Sequence, residues 1–221
     1  MGDLTLPYLL KKGAEASLYN AEWHGRRVMV KSRLPKTYRP VQLDDWIRRS
    51  RTVREAQLLR EAWRGGVLTP LVFLVDVENC VIVMQFVEGL SVKQVLEGVS
   101  VSERGVLCFR LGELVGRLHA CGVVHGDLTT SNMLLGADGR LFLVDFGLGE
   151  RSVEVEAFGV DLHLLRRALQ STHCGVWEEC FKGVVEGYRG VVGAEGTERV
   201  LEKVKEIERR GRYVAERKLQ E

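Results

Sequence analysis

The first third of the chain alternates between apolar and polar positions. Residues 17–23 (SLYNAEW) and 26–32 (RRVMVKS) carry that period of two, and His24-Gly25 between them is a short turn. The pattern predicts an antiparallel hairpin. Residues 41–62 contain neither Gly nor Pro and set Leu58, Leu59 and Ala62 at helical spacing. Two apolar strands follow, 71–77 (LVFLVDV) and 81–87 (VIVMQFV), joined at Glu78-Asn79-Cys80. From residue 91 onward the period lengthens. Helices are predicted over 102–120 with Ser102 as N-cap, over 154–170, over 175–189 and over 195–218, with Gly183 and Gly187 weakening the third. Two short strands, 133–135 and 141–144, meet at the turn Gly136-Ala137-Asp138-Gly139. The sum is an α+β chain with a small β-rich lobe over 1–88 and a helical lobe over 89–221.

Composition narrows the class. With 221 residues, 45% hydrophobic and 28% charged, the chain can bury a core, which argues against a disordered or fibrous protein. The most apolar stretch, 71–87, is broken by Asp76, Glu78, Asn79 and Gln85, so it is no spanning helix, and no membrane partner is expected. The opening MGDLTLPYLLKKG lacks a basic region followed by a long apolar run, so it does not read as a signal peptide. Met1-Gly2 raises myristoylation, but Leu6 stands where Ser or Thr is favoured. The five cysteines (80, 108, 121, 174, 180) are odd in number and show no C-x-x-C spacing. They suggest buried thiols in a reducing interior, the cytoplasm with the nucleus also open, rather than a disulfide framework or zinc site. Net charge is only +2, yet residues 26–64 hold twelve Lys/Arg against four acids. That segment reads either as the mark of a local anionic partner, nucleotide or nucleic acid, or as a solvated helix face.

The strongest chemical signal is His125-Gly126-Asp127-Leu128-Thr129-Thr130-Ser131-Asn132, followed by Asp145-Phe146-Gly147 after a strand. H-x-D-x-x-x-x-N followed by D-F-G is the spacing of a kinase catalytic loop and metal-binding segment. Phosphoryl transfer gathers negative charge on a triphosphate and needs divalent cations held by hard oxygens, which Asn132 and Asp145 supply. Asp127 is the candidate to orient the incoming hydroxyl or water and accept its proton. Upstream, Val28-Met29-Val30-Lys31 matches the strand whose lysine contacts the α and β phosphates. Glu55, 24 residues later on the predicted helix, is the candidate ion-pair partner for that lysine. Phe86-Val87-Glu88-Gly89 ends the last strand of the first lobe, where a hinge backbone would meet an adenine edge. Gly13 is the single glycine in the place of a phosphate-binding loop. The expected ligands are ATP and Mg2+.

Taken as a whole, the chain resembles the protein-kinase-like superfamily, and more narrowly the small atypical kinase/ATPase of the KEOPS (EKC) complex, the bud-site-selection kinase family. The narrower likeness rests on Lys12-Gly13-Ala14-Glu15-Ala16, on Lys31-Ser32-Arg33-Leu34-Pro35-Lys36 with Tyr38-Arg39, and on Arg51-Thr52-Val53-Arg54-Glu55-Ala56. HGDLTTSN, DFGLG, Asp161-Leu162-His163-Leu164-Leu165-Arg166-Arg167-Ala168 and the basic tail Arg209-Arg210-Gly211-Arg212 add to it. The resemblance implies a bilobal kinase-like fold with a reduced C-lobe. It also implies participation in threonylcarbamoyl-adenosine (t6A) modification of tRNA position 37, beside a TsaD-type tRNA threonylcarbamoyltransferase subunit and other KEOPS subunits. In that family ATP turnover supports the modifying enzyme, and phosphorylation of protein serine has also been proposed.

Departures from an ordinary kinase separate the function classes. With Gly13 alone, few backbone N–H groups can close on phosphates, which leaves nucleotide geometry to Lys31 and metal. HGD lacks the arginine that answers a phosphorylated activation loop, only 15 residues separate Asp145 from Asp161, and no A-P-E lies among them. Asp161 resembles the helix aspartate that braces the catalytic loop, and His125 reads as a further brace. Thr129 stands where Ser/Thr kinases carry a lysine, which weakens transfer to a protein hydroxyl. ATP hydrolysis within an assembly therefore ranks above a free-standing serine/threonine kinase, a small-molecule phosphotransferase and a pseudokinase scaffold. The tail, with Arg209, Arg210, Arg212, Arg217 and Lys218 against Glu208, Glu216 and Glu221, is a candidate contact for tRNA phosphates or a solvated helix end.

Overall fold

A computed structural model of the chain describes the backbone of residues 8–218 and the side chains of residues 8–210. Met1-Gly2 and the side chains of Arg212, Arg217 and Lys218 lie outside the described residues, and with them the myristoylation and most of the tail readings.

The predicted hairpin is present as β2 (Ser17–Trp23) and β3 (Arg26–Ser32), in register from Ser17 opposite Ser32 to Trp23 opposite Arg26. His24 and Gly25 both adopt positive φ, 50° and 70°, as a two-residue turn matched to the strand twist requires. With β1 (Tyr8–Lys12), β4 (Val72–Asp76) and β5 (Val81–Gln85) they form a five-stranded antiparallel sheet in the order β1-β2-β3-β5-β4. One face buries Ala21, Val28, Val30 and Val83 in a small cluster. The other packs Met29, Ile82 and Met84 against Leu58, Leu59 and Ala62 of α1 (Val41–Arg64). Because side chains alternate along β3, Lys31 falls on the face that α1 covers.

Beyond residue 88 come β6 (Gly89–Ser91), α2 (Val92–Val95), α3 (Val101–Ala120), β7 (Val123–Val124), β8 (Met133–Gly136), β9 (Leu141–Leu143), β10 (Glu150–Arg151), α4 (Val155–Thr172), α5 (Trp177–Val192) and α6 (Ala194–Lys218). The cap of α3 differs from expectation. Ser100, not Ser102, is the N-cap, accepting from the Glu103 N–H while the Glu103 carboxylate accepts the Ser100 N–H at 2.9 Å. This reciprocal pair needs an acid three residues after the serine, a spacing only Ser100 has.

The glycines that weaken α5 as a helix are what bring it to α3. A Cβ built at Gly187 would meet the Phe109 carbonyl oxygen at 1.8 Å, and one at Gly112 the Val184 carbonyl oxygen at 1.9 Å. Backbone rests on backbone there. The main core runs unbroken from Leu58 and Ile82 through Leu128, Met133 and Phe146 to Leu162, Tyr188 and Val204, across the position where the sequence changes from strands to helices. Cys80, Cys108 and Cys180 are buried as expected, but Cys121 and Cys174 are exposed. No helix among the described residues is long and apolar enough to cross a membrane.

Candidate active site

Three strands and a helix converge on one cleft, of roughly 740 Å³ including its solvent-open mouth, lined by Gly13, Lys31, Arg51, Asp127 and Asp145 among others. Lys31 Nζ donates to Glu55 Oε1 at 2.7 Å and to Asp145 Oδ1 at 2.6 Å. Arg33, a residue with no role assigned from sequence, donates to the other Glu55 oxygen and, at 3.3 Å, to Thr52 Oγ1. Lys31, Arg33 and Glu55 are all buried. Charges out of water cost several kcal/mol each unless they neutralise one another, so this cluster fixes α1 against β3 through mutual necessity. Burial raises the Asp145 carboxyl, but the Lys31 ammonium beside it outweighs that and holds it below the usual range. Asp145 also sits at φ 67°, in the left-handed region that Asp tolerates better than most residues other than glycine.

The loop at 125–132 is held from behind. Asp161, buried on α4, accepts the His125 N–H at 2.6 Å and the Gly126 N–H at 2.8 Å. Its Oδ2 also accepts from His119 Nε2 at 3.3 Å. A carboxylate can only accept, so His119 carries a proton on Nε2, and its Nδ1 shares a hydrogen bond with the Tyr188 hydroxyl at 2.9 Å. Burial pushes the Tyr188 hydroxyl pKa up, which keeps it protonated. This brace on α3 and α5 was not visible in the sequence. His125 donates from Nε2 to the Val144 carbonyl at 3.1 Å and accepts the Asp127 N–H on Nδ1 at 3.3 Å. Burial drives its pKa down, so it stays neutral with that tautomer fixed.

Asp127 and Asn132 meet within this loop. Asn132 Nδ2 donates to the Asp127 carbonyl and to Asp127 Oδ2, both at 2.9 Å. One carboxylate oxygen of Asp127 and the side-chain oxygen of Asn132 are therefore left without a protein hydrogen bond among the described residues. Asn132 lies beside Asp145 because the Val144 N–H donates to the Asn132 carbonyl at 3.0 Å. Asp145 Oδ2 is likewise uncommitted. Asn132 and Asp145 thus present two hard oxygens, a set that suits Mg2+ with nucleotide oxygens completing the shell. The described residues contain no group of three or more His, Cys, Asp and Glu that would cage a metal alone.

The segment after Asp145 is strapped down. β10 pairs with β7, the Ser152 N–H donates to the Gly122 carbonyl at 3.1 Å, and Arg151 makes a two-armed contact with Glu61 of α1 (Nε to Oε2, 2.6 Å). Arg151 holds the Glu61 carboxyl below its usual range. Gly126 explains itself here. At φ 76°, a Cβ would lie 2.3 Å from the Leu148 carbonyl oxygen. The missing arginine of HGD is therefore a steric requirement of the tight segment as well as the loss of a phosphate sensor.

Glu88 stands apart from this cluster. Its side chain is 80% exposed, 3.8 Å from Arg27, and its carbonyl accepts the Ala137 N–H. The basic segment is largely consumed internally: Arg48 on Asp44, Arg49 on Asp45, Arg51 and Arg39 on Glu15, Lys31 and Arg33 on Glu55.

Residues 12–161 match the protein kinase domain family. The KEOPS complex subunit Bud32 of Pyrococcus abyssi is 46% identical over 211 residues, covering 93% of this chain and 96% of that one. A probable bifunctional tRNA threonylcarbamoyladenosine biosynthesis protein of Methanothermobacter thermautotrophicus is 44% identical over 207 residues, 94% of this chain but 37% of its own length. Among solved structures, the Rio2 kinase-ADP/Mg2+-phosphoaspartate complex from Chaetomium thermophilum has a TM-score of 0.62 at 16% identity, covering 89% of this chain and 69% of that one, a likeness of fold.

Proposed function

The chain belongs to the protein kinase domain family and, within it, to the family of the KEOPS subunit Bud32, and from this we propose an Mg-ATP-dependent ATPase that supports t6A modification of tRNA position 37. The observation that carries the proposal is the pairing of an intact Lys31–Glu55–Asp145 and Asp127–Asn132 arrangement with a strapped segment that offers no platform for an extended peptide.

In this reading Lys31 binds the inner phosphates, positioned by Glu55 with Arg33 behind it. Asn132 and Asp145 hold Mg2+, which when bound neutralises charge on the phosphates. Asp127, with Oδ2 occupied by Asn132, keeps its other oxygen for the incoming water, orients it and accepts its proton. Water needs no docking surface, and Thr129 supplies no cation to favour a protein hydroxyl. The partner proposed is a TsaD-type tRNA threonylcarbamoyltransferase subunit, with tRNA and the remaining KEOPS subunits completing the assembly.

The test follows γ-labelled ATP and Mg2+ with and without that subunit and tRNA, scoring free phosphate and labelled protein together. Free phosphate that rises with the partner and disappears in Asp127→Ala supports the reading. Predominantly labelled protein replaces it with a serine/threonine kinase.

A further inference from the structure

The turn at 13–16 is tied shut by its own chain. The Gly13 N–H donates to the Ala16 carbonyl at 2.9 Å, and Lys36 Nζ donates to the Ala14 carbonyl. Its single glycine therefore aims no N–H at the cleft, which gives the cationic side chains lining it more of the work of holding phosphate. Four cations line the cleft: Lys11, Lys31, Arg33 and Arg51. Lys31 and Arg33 are buried and committed to Glu55. Lys11 lies on the edge strand β1, whose residues are all exposed. Arg51 differs from all three. It projects from α1 one turn before Glu55, is 31% exposed, and rests on Glu15 of the turn at 2.7 Å, with Glu15 itself 46% exposed. An exposed ion pair of this kind is worth little and exchanges readily, whereas the guanidinium fork matches a phosphate bidentately.

The terminal phosphate is also the one that the loop leaves without a cation. Lys31 is assigned to the inner phosphates, and Thr129 stands where a lysine would be. We propose that Arg51 is the contact for the terminal phosphate, and that Glu15 is a built-in competitor which gives up Arg51 when a nucleoside triphosphate enters. Arg39, 3.5 Å from Glu15, receives that carboxylate when Arg51 departs. The cleft then distinguishes triphosphate from diphosphate through a residue on the same helix that positions Lys31, and triphosphate entry loosens the turn's hold on that helix. The inference rests on the proposed function, since it presupposes that nucleotide occupies this cleft.

The test is calorimetric binding of Mg-ATP, Mg-ADP and adenosine to the full chain, as wild type, Arg51→Ala, Glu15→Gln and the double variant, with melting curves confirming that each folds. Arg51→Ala is expected to weaken Mg-ATP by about tenfold or more while changing Mg-ADP by less than about twofold. Glu15→Gln is expected to tighten Mg-ATP severalfold, and that gain vanishes in the double variant. Equal losses for both nucleotides in Arg51→Ala, or weaker Mg-ATP binding in Glu15→Gln, would show a merely structural pair and overturn the inference. A wild type that binds neither nucleotide overturns the proposed function itself, and this inference with it.

Discussion

The turn at 13–16 and the loop at 125–132 face the same cleft and are held by opposite means. The loop is fixed by buried hydrogen bonds: Asp161 grips two successive backbone N–H groups, a neutral His125 grips the Val144 carbonyl, and His119 with Tyr188 supports Asp161 from below. Apart from its own backbone bond and the Lys36 contact, the turn is held by partly exposed ion pairs, Glu15 with Arg51 and Arg39, whose side chains are about one-fifth to one-half exposed. Buried networks are strong and intolerant of partial loss, while exposed pairs are weak and replaceable. Under the proposed function, the difference assigns precision to the atoms around Asp127 and adaptability to the opposite wall of the cleft.

The harshest way to break this contrast is to disturb the loop at Gly126. Placing a Cβ at φ 76° against the Leu148 carbonyl, Gly126→Ala should cost more than about 3 kcal/mol of unfolding free energy in urea titration. A wild-type midpoint would refute the collision. Asp161→Asn keeps the volume but offers a single acceptor oxygen where two received N–H groups, so a loss of about 2–3 kcal/mol is expected by thermal denaturation, together with loss of ATP turnover.

The loop should also respond to acid through His125. Its folded pKa is depressed by burial, so below the ordinary histidine value of about 6.5 the unfolded chain binds a proton that the folded chain refuses. Stability should therefore fall as pH drops from 7.5 toward 5.5, by at most about 1.4 kcal/mol per unit from this group, and His125→Gln should flatten that slope. The smallest effect belongs to the turn. Glu15→Ala should change unfolding free energy by about 1 kcal/mol or less, and 0.5 M salt should erase the difference. A larger, salt-insensitive loss would place the turn with the loop and end the comparison.

Much of this was legible in sequence because it is local. The hairpin, with its His24-Gly25 turn, and the spacings from Asp127 to Asn132 and from Lys31 to Glu55 each lie within a single readable stretch. Ser100-Val101-Ser102-Glu103 carries a capping signature in plain view, and apolar periodicity alone favoured the wrong serine. Other features depend on residues far apart in the chain. Arg151 finds Glu61 across 90 positions, and Tyr188 reaches His119 across 69. Gly126 read only as a missing arginine, because the carbonyl it must avoid belongs to a different segment. Arg33 lay two positions beyond Lys31, but nothing nearby in sequence marked it as the second cation on Glu55. Glu88, read as part of the hinge whose backbone meets an adenine edge, turns its side chain toward solvent beside Arg27, which leaves that backbone reading as it stood.

The close seat of Gly126 against Leu148 also constrains how such a chain can change. No single substitution at position 126 can restore a phosphate-reading arginine, because any side chain there meets backbone before it meets solvent. The segment after Asp145 must first lengthen or lift, which means giving up the β10–β7 pairing and the Arg151–Glu61 contact. Each half of that change is harmful without the other. Regulation by a covalent mark on this segment is therefore separated from the present form by a valley rather than a slope.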